Sequence, residues 1–140
     1  MSDGIRVHHL AVVVADLDRA LQFWRDVLGL QVSHIEDVPE QASQVAFLPA
    51  GDAEIELVRP TSSDSGVARY LAKRGAGMHH ICLSVPDLRA SLQQLAAHSV
   101  RMISPEPMAG SDGRQYAFVH PESTGGVLLE LYQQMGHPSG

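Results

Sequence analysis

Two histidines and two glutamates occupy matching places in this chain. His9 lies in Val7-His8-His9-Leu10 and His80 in Met78-His79-His80-Ile81, while Glu56 lies in Ile55-Glu56-Leu57 and Glu130 in Leu129-Glu130-Leu131. Val14-Ala15-Asp16-Leu17 is echoed by Val85-Pro86-Asp87-Leu88, and Gln44-Val45-Ala46-Phe47 by Gln115-Tyr116-Ala117-Phe118, at the offset that separates the histidines. The glutamates stand slightly farther apart, which a longer loop around Ser123-Thr124-Gly125-Gly126 accounts for. Taken singly, a strand histidine is more often a hydrogen-bonded core or surface residue than a ligand, and a glutamate between hydrophobics usually faces solvent. Four such residues at equivalent positions of a repeat, one nitrogen and one oxygen ligand from each half, instead describe one metal centre. Two imidazoles and two carboxylates suit a divalent ion such as Co, Mn, Ni, Zn or Fe(II). An octahedral ion held by four protein ligands keeps positions for substrate oxygens, as a Lewis-acid catalyst requires.

The elements that would position these residues follow from the repeat. Each half reads as a strand, a helix and three further strands. Residues 5–14 and 78–85 are β-rich, and Asp16 and Asp87 are suited to cap the helices that follow. Leu17, Leu21, Trp24 and Leu28 make one apolar stripe ending at Gly29; Leu88, Leu92, Leu95 and Ala96 make the other. Strands then fit 31–37, 44–49 and 53–59, with counterparts at 100–104, 115–120 and 127–133. Pro60 to Gly77 is a connector with a short helix through Val67, Tyr70 and Leu71. Alternation places Leu10, Val12 and Val14 toward the helix and His9, Ala11 and Val13 on the opposite face, with Ile81, Leu83 and Val85 set against His80, Cys82 and Ser84 in the same way. The reading is an α+β domain spanning residues 1–140, with one module at about 5–60, a connector at 61–76 and a second module at about 77–133. A pseudo-twofold packing of the two modules would bring His9, Glu56, His80 and Glu130 into one cleft. By parity His8 and His79 fall on the helix side as structural or edge residues. His34, His98 and His137 read as loop or surface positions, and His120 has no histidine counterpart.

Composition limits the partners. A chain of 140 residues with 44% hydrophobic content can bury the core of one domain. A formal charge of −6, without acidic or basic runs, offers no general attraction to nucleic acid or to anionic membranes. No stretch reaches the roughly 20 apolar residues that span a bilayer. The single cysteine, Cys82, excludes an internal disulfide, and the opening residues lack a signal core or transit composition, so a reducing, cytoplasmic setting is expected.

At this point the chain resembles the vicinal oxygen chelate superfamily, and within it the methylmalonyl-CoA epimerase family. The resemblance runs from His9 to about Gln133. It is carried by Pro39-Glu40-Gln41, Ala46-Phe47-Leu48-Pro49, Glu54-Ile55-Glu56-Leu57, the connector Pro60-Thr61-Ser62-Ser63-Asp64-Ser65, Gly77-Met78-His79-His80-Ile81 and the run from His120 to Leu131. It implies paired βαβββ modules forming a cupped mixed sheet around a metal, with His9, Glu56, His80 and Glu130 as ligands. It also implies a homodimer and an acyl-CoA substrate. The implied reaction inverts the carbon between a thioester and a carboxylate, through proton removal, a metal-stabilised enolate and reprotonation. Inversion needs a group on each side of the substrate, and Glu130 and Glu56 are the candidates. Some family members carry Gln at the position of Glu56, and some carry a further Glu at the position of Val45, which here cannot accept a proton. Arg69, Lys73, Arg74 and Arg114 are candidate contacts for the coenzyme A phosphates, against a plain role as solvated surface charge. Three other readings share the fold: a glyoxalase I-type lactoylglutathione lyase with the same four ligands, an extradiol-type dioxygenase using His9, His80 and Glu130, and a ligand-sequestering protein. Glu56 counts against the dioxygenase.

Overall fold

Alternation along the strands decides which side chains become core, and it does so separately in each half of the chain. The computed structural model describes residues 4–104, 106–110 and 112–135. They form two compact units, one being His9–His79 and the other the remaining described residues. No helix among them is long and apolar enough to cross a membrane.

The first unit contains β1 (Arg6–Val13) from His9 onward, α1 (Leu17–Leu21), β2 (His34–Val38), β3 (Ser43–Ala50), β4 (Ala53–Pro60) and α2 (Gly66–Arg74). The strands lie in the order β2-β3-β4-β1, antiparallel except for the parallel pair of β1 with β4. This is a βαβββ module with a mixed sheet. Val12, Val14, Ala46, Leu48, Ile55 and Leu57 share the face on which Leu17, Leu21 and Trp24 pack. The Asp16 carboxylate caps α1 by accepting from the Arg19 N–H at 3.1 Å. The apolar stripe predicted to run to Leu28 is cut short: α1 passes into a π-helical turn over Gln22–Val27, and the Leu28 N–H reaches the Phe23 carbonyl at 2.8 Å. The wider turn rotates the following side chains, so Leu28 is 54% exposed. β2 starts at His34 rather than at residue 31, because Leu30 and Val32 both turn into the α1 core.

The second unit holds β5 (Gly77–Val85) from His80 onward, α3 (Leu88–Ala97), β6 (Met108–Ala109), β7 (Gln115–Val119) and β8 (Leu129–Gln133). The order β5-β8-β7-β6, with β5 parallel to β8, repeats the first module. Val85, Leu88, Val119 and Leu131 form its core, with Leu83, Leu92, Leu95 and Leu129 packed against them. Asp87 caps α3 through the Ala90 N–H at 3.1 Å, and the Gln133 amide adds a second hold by accepting from the Leu88 N–H at 2.8 Å and donating to the Pro86 carbonyl at 2.7 Å. The strand expected near 100–104 is reduced to a short stretch beside β7, where the His120 N–H bonds to the Arg101 carbonyl and the Ile103 N–H to the Phe118 carbonyl, each at 2.9 Å. Ser99 takes a left-handed φ of 58° just past α3, Val100 and Met102 pack into the α3 core, and Met102 makes a lone bridge to Val119. Pro107 supplies no N–H for a ladder, and the next strand is the two-residue β6 at Met108 and Ala109. Ala96 lies on the exposed side of α3. β8 begins at Leu129 rather than at 127, since the Thr124 hydroxyl holds Val127 in the preceding turn.

The cores set a stability contrast. Leu57→Ala, at a wholly buried position, should cost about 2–5 kcal/mol. Leu28→Ala should change stability by less than about 0.5 kcal/mol. Urea denaturation followed by circular dichroism checks both, and equal losses would contradict the π-helical rotation of Leu28.

Candidate active site

The first unit presents a histidine and a glutamate to each other from neighbouring parallel strands. Ala11 is the register partner of Glu56 on β4, which sets His9 one alternation away on the same face. His9 Nδ1 and Glu56 Oε2 are 3.2 Å apart, and the two side chains are 9% and 14% exposed. Across β3 the partner of Glu56 is Phe47, on whose ring His34 of β2 stacks at 4.3 Å. Farther along this face Ala11, Val45 and Val58 form an apolar cluster with Val38, Phe47 and the α2 residue Val67. Val45 is therefore part of an apolar wall, 3% exposed.

The second unit repeats the arrangement. Glu130 is paired in register with Cys82 on one side and Phe118 on the other. His80 Nε2 lies 3.0 Å from Glu130 Oε1, the side chains being 12% and 13% exposed, and the Phe118 ring stands edge-on to His80 at 5.6 Å. Cys82 is wholly buried beside this pair. Each unit thus offers one imidazole nitrogen and one carboxylate oxygen, both nearly buried, with a phenylalanine as the glutamate's cross-strand partner. Ligand atoms at about 2.0–2.2 Å from one ion are typically near 3 Å from each other, so both His–Glu spacings fit the edge of a coordination shell. The donor set suits a divalent ion with nitrogen and oxygen preference.

The other histidines have structural surroundings. His8 packs edge-on to Tyr132 at 5.0 Å and His79 to Tyr70 at 4.9 Å. His120 accepts from the Glu122 N–H at 2.9 Å and caps the short 3-10 turn that follows, and His98 contacts the Gln94 amide at 3.1 Å. His137 lies outside the described residues. Of the candidate phosphate contacts, Arg69 donates to the Asp64 carbonyl and Arg74 lies over the Tyr70 ring at 5.8 Å, and both, like Lys73, are exposed on α2.

Arg114 differs from those three. It sits on the turn between β6 and β7, its guanidinium 4.2 Å from the centroid of the Tyr132 ring, and its Nε donates to Asp112 at 2.9 Å. The Tyr132 hydroxyl donates to the same carboxylate. That hydroxyl, seconded by Arg114, overcomes desolvation and holds the Asp112 carboxyl down at about 2, while burial and the Asp112 bond push the Tyr132 phenol upward. The repeat could not reveal this cluster, since none of its three residues has a like counterpart in the first half. The phenylalanines could have been found, because Phe47 and Phe118 were already matched in the repeat.

Comparison with known proteins points one way. Residues 8–118 match the family model described as the glyoxalase/bleomycin resistance protein/dioxygenase superfamily. The mitochondrial methylmalonyl-CoA epimerase of Mus musculus is 42% identical over 129 residues, which span 91% of this chain and 72% of that protein. A Bacillus halodurans C-125 protein described as hypothetical superposes with a TM-score of 0.90 at 34% identity, covering 99% of this chain and 100% of its own. A variant of Streptomyces coelicolor methylmalonyl-CoA epimerase, solved in complex with 2-nitronate-propionyl-CoA, gives a TM-score of 0.82 at 34% identity, covering 94% and 98%.

The Asp112 cluster has a pH signature. A carboxyl lowered from 3.8 to about 2 on folding stabilises the protein fully above pH 3.8 and loses that contribution as pH falls toward 2. The melting-temperature gap between the wild type and Asp112→Asn should therefore be widest near pH 6 and narrow between pH 4 and 2.5. A gap of constant size over that range would show that the carboxylate charge contributes nothing.

Proposed function

The chain belongs to the glyoxalase/bleomycin resistance protein/dioxygenase superfamily, and we propose that within it this protein is a methylmalonyl-CoA epimerase, interconverting the (R) and (S) forms of methylmalonyl-CoA. The observation that carries the reading is the pair of His–Glu contacts, His9 with Glu56 and His80 with Glu130, in a chain related over nine-tenths of its length to enzymes of that name. The four side chains together would hold one divalent ion, Co, Mn, Ni or Zn being the candidates. When bound, such an ion supplies Lewis-acid stabilisation of the negative charge that develops on the substrate's oxygens.

The chain's own residues account for the proton transfers. A Glu130 carboxylate oxygen takes the α-proton from one side of the substrate, and a Glu56 oxygen serves the opposite side, so that a proton leaves one face and arrives on the other. Val45 takes no part, because a valine in an apolar cluster neither accepts nor donates a proton. Phe47 and Phe118, in register with the two glutamates, limit water beside them and strengthen every charge interaction at the site. The imidazoles hold the glutamates in orientation until substrate binds. The reading includes a homodimer, on the family resemblance, and a cytoplasmic setting, on the single buried cysteine.

Two measurements test it. His9→Ala and His80→Ala should each lower bound divalent metal steeply, and full occupancy in both variants by elemental analysis would remove the metal assignment. In D2O the wild type should exchange the α-hydrogen of methylmalonyl-CoA together with inversion, and Glu130→Gln should slow inversion by roughly 100-fold or more. Glu56→Gln, if metal-replete, should retain exchange from one enantiomer while failing to invert it. Inversion untouched by either substitution would refute the two-glutamate assignment. Turnover of the methylglyoxal–glutathione adduct without inversion of methylmalonyl-CoA would move the protein to the lactoylglutathione lyases.

A further inference from the structure

Arg114 is arranged as a recognition group. Glu130 and Tyr132 are alternate residues of β8, so they share the face opposite α3, and Phe118 and Tyr116 oppose them on β7. At about 3.3 Å per residue, Tyr132 stands roughly 7 Å along the strand from Glu130. The guanidinium lies over the Tyr132 ring, and Asp112 engages its Nε edge from the side. Asp112 is fixed in turn by the Tyr132 hydroxyl and by the Arg114 N–H, which donates to its other oxygen at 3.0 Å. The turn itself is tied, with the Gly110 N–H bonded to the Arg114 carbonyl at 2.9 Å and the Gly113 N–H to the Gly110 carbonyl at 2.9 Å. A guanidinium has five donors in a planar fork, and with Asp112 on its Nε edge and the Tyr132 hydroxyl beside it, the edge formed by the two terminal nitrogens is the one that can meet a ligand. That edge matches a carboxylate bidentately. The side chain is 24% exposed, whereas Arg69 and Arg74 of α2 are exposed residues.

We propose that Arg114 binds the free carboxylate of the thioester substrate and so selects a malonyl-type acyl group over a simple acyl group. The proposal rests on the epimerase reading. A carboxylate is preferred to a coenzyme A phosphate because Arg114 lies on the ring of Tyr132, two residues along β8 from Glu130, whereas the pantetheine arm carries the phosphates many bonds from the reacting carbon. Asp112 and Tyr132 act as positioning residues, since they hold the guanidinium at the Tyr132 ring.

Binding of malonyl-CoA and of propionyl-CoA to the metal-loaded protein, measured by calorimetry, separates the sources of negative charge. Both ligands carry the phosphates and the thioester, and only malonyl-CoA carries the carboxylate. Arg114→Met should weaken malonyl-CoA by roughly 10- to 100-fold, the range for a charge-assisted hydrogen-bonded pair, and leave propionyl-CoA within a factor of about two. Arg114→Lys should recover part of the loss, because it keeps the charge without the fork. Equal loss for both ligands would assign Arg114 to the phosphates or to the fold and overturn the proposal, as would no loss for either. A carboxylate-selective loss in a protein that does not invert methylmalonyl-CoA would refute the epimerase reading alone and leave the Arg114 assignment standing.

Discussion

The two-residue period of the β-strand is the constraint on which the rest of this structure depends. In β4, Ile55 and Leu57 enter the core under α1 and Glu56 points the other way; in β8, Leu129 and Leu131 do the same around Glu130. A slip of one residue in either register would drive a carboxylate into an apolar core, where its desolvation would cost several kcal/mol, and would expose the two aliphatic residues that flank it. Core packing and placement of the polar pairs are therefore one requirement. The helix caps serve it as well, because Asp16 and Asp87 fix where each helix starts over its sheet, and Gln133 ties α3 directly to the strand that carries Glu130.

This coupling explains why so much of the site was legible in the sequence. Strand alternation and a repeat are both properties of residue order, so the pairing of His9 with Glu56 and of His80 with Glu130 could be read before any coordinates. What escaped was set by local backbone events that leave weak compositional traces. The π-helical turn over Gln22–Val27 has the composition of an ordinary amphipathic helix, and only its hydrogen bonds show that Leu28 has been rotated outward. Val100 and Met102 look like strand residues because they are apolar, yet they are apolar in order to pack under α3. The Asp112–Arg114–Tyr132 cluster joins residues far apart in sequence across a hairpin and a strand, with no counterpart elsewhere in the chain to flag it.

The two halves also differ widely around a His–Glu pair that both keep. Each glutamate keeps its histidine on a parallel neighbour and its phenylalanine on an antiparallel one. The periphery has changed much more. β2 is a five-residue strand on which His34 stacks against Phe47, and its counterpart β6 is a two-residue bridge leading into the Arg114 turn. The first half spends its open face on an apolar cluster under α2, whereas the second carries tyrosines, an arginine and an aspartate. The two units thus keep the same strand order while presenting unlike side chains on the faces that carry their glutamates.

The position of Cys82 has a practical consequence. It is the only cysteine of the chain, it is wholly buried, and it lies in register with Glu130. A thiol reagent can modify it only when the strand that holds it opens, so its labelling rate under native conditions measures local opening around β5. The protein carries a kinetic reporter on the strand paired with Glu130, one that reads local breathing without an introduced probe.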